Sequence, residues 1–290
     1  MKIVVTGGAG FTGSHLVDEL ASRGHEVVVF DLRASAWLPR SARMVTGDLS
    51  DLAALQQVVD GADAVYHLAG FADLNAARTK PLETVNANII GTVNLLEAMR
   101  AKGVKRFLFA STVYVYSREG GFYRCSKQAC ESYIEEYARA FDLRYTVLRY
   151  GSLYGPRADR TNGVYRLLAS AIERSKIEYT GAPDDIREYI HVEDAARLSA
   201  DALAPEFEGQ HVLLTGPSST RAADLFMMFQ EILGRRIDID YRHTTAGHYA
   251  VTPYAYTPRP GRKLVTTHYV DMGQGLLRMV EDLHRERPDA

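Results

Sequence analysis

One short stretch limits the folds open to this chain more than any other: "VVTGGAGFTGSHL", residues 4–16. An apolar run that reads as a strand enters it, and a helical pattern leaves it. Between them stand Gly7, Gly10 and Gly13. The first allows a tight turn. The second lets backbone approach a pyrophosphate, and the third permits close helix–strand packing, while the helix N-terminus attracts phosphate charge. A glycine triplet alone is weak evidence, because turns use glycine anyway; the strand before it and the helix after it give it meaning. The next strand-like run, "EVVVFD", ends in Asp31. A carboxylate there accepts both ribose hydroxyls of an NAD-type cofactor and repels a 2′-phosphate, so NAD is expected over NADP although Arg33 follows closely. The plain alternative is that Asp31 caps a turn. Asp48 and Leu49, after the third strand, sit where an adenine would be gripped.

The rest of the first half repeats the alternation. "KIVVTG", "EVVVFD", "ARMVTGD", "DAVYHLAG", "RFLFAST" and "RYTVLRY" read as short apolar strands. Segments between them, such as "NANIIGTVNLLEAMRAKG", carry apolar residues at helical spacing and end in glycine. This order predicts an α/β fold with a doubly wound parallel sheet. Past residue 151 the pattern changes: "NGVYRLLASAIERS", "VEDAARLSADALA", "TRAADLFMMFQEILG" and "GQGLLRMVEDLHRE" read as helices, and "QHVLLTG" and "RRIDIDYRH" as strands. The expected division is 1–151 plus about 186–205 for the cofactor domain, and 152–185 with 206–290 for a smaller α/β substrate domain.

At 290 residues with 46% apolar content, the chain is long enough for one large core or two modest ones. Its net charge of -2 gives no electrostatic case for nucleic acid or an anionic membrane. No apolar run approaches the roughly 20 residues of a bilayer-spanning helix. With no export signal at its start and only Cys125 and Cys130, a cytoplasmic protein is expected. His243 and His248 lack a third ligand at usable spacing, so no metal is expected.

A second stretch holds the candidate chemistry: "TVYVYSREGGFYRCSK", residues 112–127. Taken with "TGGAGFTGSHL", "DLSD", "HLAG", "NIIGTVNLLEA", "LRYGSLYGPR", "IREYIHVEDAA" and "RPG", in that family's order, it resembles the extended short-chain dehydrogenase/reductase family, in its NAD-dependent nucleotide-sugar epimerase/dehydratase branch. The resemblance runs through nearly the whole chain. It implies a Rossmann-type sheet, NAD, a nucleotide-diphosphate sugar (a UDP-sugar above all) and a homodimer built through a four-helix bundle around 86–101 and 124–141. It implies that Phe11 and Thr12 of the glycine loop, Leu68 and Ala69 of "HLAG", and Asn88 line or support the cofactor cleft. Thr112 falls on the catalytic Ser/Thr position, and Tyr123 and Lys127 on the Tyr-x-x-x-Lys pair, which also meets the cofactor. Arg187 and Arg259 match arginines that bind the diphosphate. Ser152 stands where an asparagine contacting substrate is usual.

The residue types suit that chemistry. On a helix, Tyr123 and Lys127 lie one turn apart on one side. An ammonium beside a phenol favours phenolate, and the bound nicotinamide cation adds to it, so the tyrosine is expected to titrate below its usual value, as a general base requires. Guanidinium forks suit a diphosphate. Dehydrating members carry an Asp-Glu pair after the threonine; here stand Val113 and Tyr114, and valine moves no proton. What survives is oxidation and re-reduction of a carbinol: a 4-epimerase acting through a 4-keto sugar. The alternatives are a ketoreductase, dehydrogenase or dehydratase of the same family, and a non-catalytic NAD-binding regulatory module or dimeric scaffold.

Only eleven positions separate Thr112 from Tyr123, where relatives have a longer connection. Gly120 and Gly121 are expected in backbone angles closed to other residues. The sugar site is expected to be more open, with Tyr114, Tyr116, Ser117 and Arg118 as replacement contacts.

Overall fold

Each central strand is apolar on both faces, as a parallel sheet covered by helices on either side requires. β1 (Lys2–Thr6), β2 (Glu26–Asp31), β3 (Ala42–Thr46), β4 (Ala64–His67), β5 (Arg106–Thr112) and β6 (Arg144–Tyr150) fall on the six runs read from the sequence. The structure is a computed structural model that describes residues 1–242, all within one compact unit. Beyond β6 come β7 (Ser152–Tyr154), β8 (Lys176–Thr180), β9 (Ile186–His191), β10 (Gln210–Leu214), β11 (Ser219–Arg221) and β12 (Asp238–Arg242). The helices are α1 (Phe11–Ser22), α2 (Leu52–Val59), α3 (Leu74–Ala77), α4 (Pro81–Thr84), α5 (Gly91–Lys102), α6 (Gly121–Phe141), α7 (Gly163–Arg174), α8 (Val192–Asp201) and α9 (Ala222–Leu233).

Seven strands form one sheet in the order β10-β6-β5-β4-β1-β2-β3, every neighbouring pair parallel. Odd and even positions of the strands serve two cores. Val4, Val28, Phe30, Phe107 and Phe109 pack with Leu55 of α2, Leu95 and Met99 of α5 and Ile134 of α6. Ile3, Val5, Val27, Val29, Leu108 and Leu148 pack with Leu16 and Leu20 of α1 and Ala195 and Ala200 of α8. The winding direction reverses between β1 and β4, and the crevice at their carboxyl ends is where such sheets bind ligands.

Two small sheets stand apart, β11-β9-β7 and β12-β8. A third core of Ile177, Tyr179, Phe226 and Phe229 joins β8 and α9. The division expected at residue 206 differs from what the backbone does. Residues 210–214 pair in parallel with β6 and complete the first sheet, because the chain returns across it after the first part of the smaller module. Residues 85–90 wind as a π-helix where helical spacing alone predicts an ordinary α-turn, and α5 follows from Gly91. Among the described residues no helix is long and apolar enough to cross a membrane. Arg259, His243, His248, Tyr249 and the helix expected over "GQGLLRMVEDLHRE" lie outside the described residues.

Candidate active site

The loop after β1 and the loop after β4 meet at the sheet's reversal. The Leu68 and Ala69 N–H groups both donate to the Thr6 carbonyl, at 2.9 and 3.1 Å. Gly7 turns there at φ +72°, and a Cβ on it would run into the Ala69 backbone. A Cβ on Gly13 would strike the Gly7 carbonyl oxygen, so α1 can lie this close to β1 only with glycine at that turn. Gly10 is less tightly held: a Cβ there would have one close neighbour, the Gly7 oxygen at 3.3 Å, a tight contact relieved by a shift of a few tenths of an ångström. Gly10 caps α1 without a side-chain hydrogen bond, leaving the N–H groups of Phe11 and Thr12 without intrahelical acceptors. That is a cradle for an anion. Asp31 closes it from β2, its carboxylate accepting from Ala9 N at 3.1 Å and Arg33 N at 3.3 Å. Asp48 accepts from Ser50 N at 2.8 Å, and the Leu49 carbonyl accepts from Asn94 at 2.9 Å.

Asn88 locks the wall of this cleft. Its Oδ1 accepts from Phe71 N at 2.6 Å, and its Nδ2 donates to the Phe71 carbonyl at 3.2 Å and to Ser126 Oγ of α6 at 2.8 Å. Below it lies His67, the first residue of "HLAG", to which the sequence alone gives no role of its own. Thr92 spends its hydroxyl proton on the Asn88 carbonyl at 2.5 Å. It therefore accepts from His67 Nε2 at 3.0 Å, and His67 Nδ1 accepts from Thr6 Oγ1 at 2.6 Å. Burial first, and the Lys127 charge second, push His67 down to about 3, so it is neutral. The available signal was a histidine at the end of an apolar strand.

β5 ends in Thr112, whose hydroxyl accepts from Tyr114 N at 3.2 Å. Helix α6 packs along this end. Lys127 donates to the Ala110 carbonyl at 2.7 Å, and its ammonium lies 5.9 Å from the centre of the Tyr123 ring and 4.6 Å from that of Phe109. Lys127 and Tyr123 thus stand one turn apart, beside the strand that carries Thr112. The expected lowering of the tyrosine is not delivered by the chain's own groups. Burial pushes the Tyr123 hydroxyl up, with nearby Cys130 adding to it, while burial pushes Lys127 down. The ammonium is committed to a carbonyl and a ring face, so it does not by itself make the phenol a base.

Behind these residues lies a polar cluster that sequence reasoning also missed. Glu131 accepts from Ser111 Oγ at 2.5 Å and from Arg149 at 2.6 and 3.1 Å. Burial disfavours its charge, yet hydrogen bonds from His211, Arg149 and Ser111 outweigh that and hold it below the usual carboxylate range. Arg149 also donates to the Tyr116 hydroxyl and lies 4.7 Å over its ring. Glu131 follows Lys127 by four, which was the legible clue.

Gly120 and Gly121 have φ of +89° and +51°, the left-handed angles expected of so short a connection. The replacement sugar contacts fare differently. Tyr114 is buried in an apolar cluster with Val113, against Leu74. Tyr116 faces Arg149, and the Ser117 hydroxyl bonds backbone at Tyr114 and Glu119. Arg118 alone of the four is exposed. On the smaller sheet, Ser152 pairs with Tyr189, and Arg187 lies two residues along on the same strand. Arg187 reaches Tyr179, whose hydroxyl burial raises and Arg187 lowers.

Residues 3–214 match the NAD dependent epimerase/dehydratase family. The chain belongs to that family. It is 32% identical over 247 residues to UDP-glucose 4-epimerase of Erwinia amylovora, covering 70% of this chain and 73% of that protein. UDP-glucose 4-epimerase of Thermotoga maritima, solved with UDP-glucose, is similar at TM-score 0.80 and 30% identity, covering 89% of this chain and 90% of that one. The NAD complex of UDP-glucose 4-epimerase from Thermus thermophilus gives TM-score 0.77 at 28% identity, covering 88% of this chain and 91% of that one. The family's cofactor is NAD, and the open cradle at Gly10 beneath Asp31 fits it.

Proposed function

We propose that this epimerase-family protein is a UDP-sugar 4-epimerase. The observation that carries the reading is the pairing of Tyr123 and Lys127 on α6 against the end of β5, with no acid after Thr112: Val113 and Tyr114 are both buried. A dehydratase needs a second proton donor there. NAD, when bound, supplies a reversible hydride acceptor for the sugar carbinol. Tyr123 would take the proton of that hydroxyl as phenolate, the form favoured once the positive nicotinamide adds its charge to that of Lys127, and Thr112 would hold the sugar oxygen through its hydroxyl hydrogen, one of its lone pairs being engaged by Tyr114 N. Lys127 orients the nicotinamide ribose. Gly10, Phe11 and Thr12 hold the pyrophosphate, Asp31 the adenosine ribose, Asp48 and Leu49 the adenine, and Leu68 and Ala69 line the cleft that Asn88 supports. Ser152 and Arg187 meet the nucleotide sugar from the smaller module. The shortened 113–122 connection leaves room for a larger sugar.

Exposed Val85, Ile90, Phe122, Tyr133 and Phe141 on the π-turn and α6 support a homodimer through these helices. The free thiols of Cys125 and Cys130 support a cytoplasmic setting. The test is incubation with UDP-glucose, UDP-galactose, their N-acetyl forms and the uronic acids, with no cofactor added. A 4-epimer from one of them is expected, and Tyr123→Phe abolishes it while NAD stays bound. Should no epimer form while added NADH reduces a keto-sugar, the ketoreductase reading replaces this one.

A further inference from the structure

The stripe of α6 beside Tyr123 and Lys127 carries Arg124 and Gln128, each one residue past a residue of the pair. Both reach the short connection. Arg124 Nη1 donates to the Ser117 carbonyl at 3.0 Å, and Gln128 Nε2 to the Val115 carbonyl at 2.8 Å. From the sheet side, Arg149, held by Glu131, fixes the Tyr116 side chain between those two carbonyls. Gly120 seals the far end, its α-carbon so placed that a Cβ would lie 2.9 Å from the Tyr114 ring and 3.1 Å from Arg124 Cβ. The same segment supplies Tyr114 N, the donor to Thr112 Oγ1. A cation in the first turn of a helix opposes the macrodipole, and α6 begins at Gly121, so Arg124 is not placed there for the helix's own stability.

We propose that Arg124 and Gln128 are positioning residues: they fix the backbone of 113–117 and, through Tyr114 N, the direction of the Thr112 hydroxyl. This rests on the epimerase reading for its catalytic consequence. Its structural half does not, since it concerns the segment alone. A connection too short to roof the sugar is held rigid from the helix that carries the base, so the hydroxyl and the phenol keep their spacing without a longer loop.

The experiment compares the full-length protein with Arg124→Ala/Gln128→Ala, with Gln128→Ala alone and with Arg124→Lys. Hydrogen exchange of the amides of 113–119 is expected to quicken about tenfold or more in the double variant, the effect of two hydrogen bonds of ordinary net strength. Exchange in α6 beyond residue 130 is expected to stay unchanged. With whichever UDP-sugar the parent protein turns over, kcat is expected to fall about tenfold or more while KM moves less than about threefold, the mark of misplaced rather than missing binding groups. Arg124→Lys, which keeps a cationic donor, recovers part of both. Unchanged exchange at 113–119 overturns the proposal, and so does a rise in KM at constant kcat, which would make these residues substrate contacts. If circular dichroism shows the double variant unfolded, Gln128→Ala carries both readouts. If the parent protein turns over no UDP-sugar, the epimerase reading fails and the exchange measurement still decides the clamp.

Discussion

At the residue scale, the three glycines of the cofactor loop divide by what a methyl group would meet. At Gly13 it meets the Gly7 carbonyl, which is backbone and cannot yield. Gly13→Ala is expected to cost about 3 kcal/mol or more in denaturant unfolding, as overpacked sites do. At Gly10 the methyl meets only the Gly7 oxygen at 3.3 Å, a far milder squeeze, so Gly10→Ala is expected to cost about 1–2 kcal/mol, well below Gly13→Ala. Its NAD affinity should drop about tenfold or more, about 1.4 kcal/mol, since the methyl enters the space a pyrophosphate takes. Calorimetric titration with NAD checks this, and equal affinity would remove Gly10 from the cofactor site. Sequence spacing reveals that three glycines are there. Only the packed structure separates the two that backbone blocks outright from the one under a milder squeeze. The same limit explains Tyr114 and Tyr116. Their side chains are large and polar-tipped, and nothing local to the sequence says that one is buried against Leu74 and the other turned to Arg149.

At the scale of elements, Asn88 shows what the π-turn does. The extra residue in the turn over 85–90 lets the Asn88 amide face Phe71 on one side and Ser126 on the other, joining the β4 loop to α6. Asn88→Ala leaves the Phe71 N–H without its acceptor, and about 2–3 kcal/mol of stability is expected to go with it. Proteolytic nicking near 70–80 should rise in parallel, and a melting temperature equal to the parent's would show that the clamp is idle. The strands β2, β5 and β6 were legible to the residue because apolar runs bounded by polar ends leave little choice. The π-turn was not, since its sequence "VNANII" satisfies helical spacing equally well and the choice is made by the partners Asn88 finds. Strand β10 was read as a strand within the 206–290 substrate segment, and it pairs with β6 of the seven-stranded sheet. A short apolar run states that it pairs, not with which edge.

Across the whole molecule, the neutral buried His67 ties stability to pH. Its folded value of about 3 lies below its ordinary 6.5, so between these values the unfolded chain binds the extra proton. Stability is therefore full above about pH 6.5 and is lost as the pH falls towards 3. Carboxylates add their own slopes below about pH 5, which makes pH 6.5 to 5 the diagnostic window. Urea unfolding across that window should show a falling midpoint in the parent. In His67→Asn, which starts lower at neutral pH, the slope should shrink to the smaller part left by His25, which burial also pushes down; an identical slope would assign it to other groups.

The return of the chain to β10 also bears on how the protein is made. Strand β6, at 144–150, leaves the ribosome long before β10, the strand that covers its outer edge, and residues 151–209 must emerge first. Until then β6 offers unpaired backbone to any neighbour, the usual template for edge-to-edge association. Arg106, buried in the folded protein, waits nearly as long for the Ala202 carbonyl it donates to at 2.6 Å. A nascent chain halted near residue 205 thus holds the whole cofactor loop and an exposed sticky edge. For this protein the hazardous interval of synthesis comes late, after its nucleotide cradle is already written.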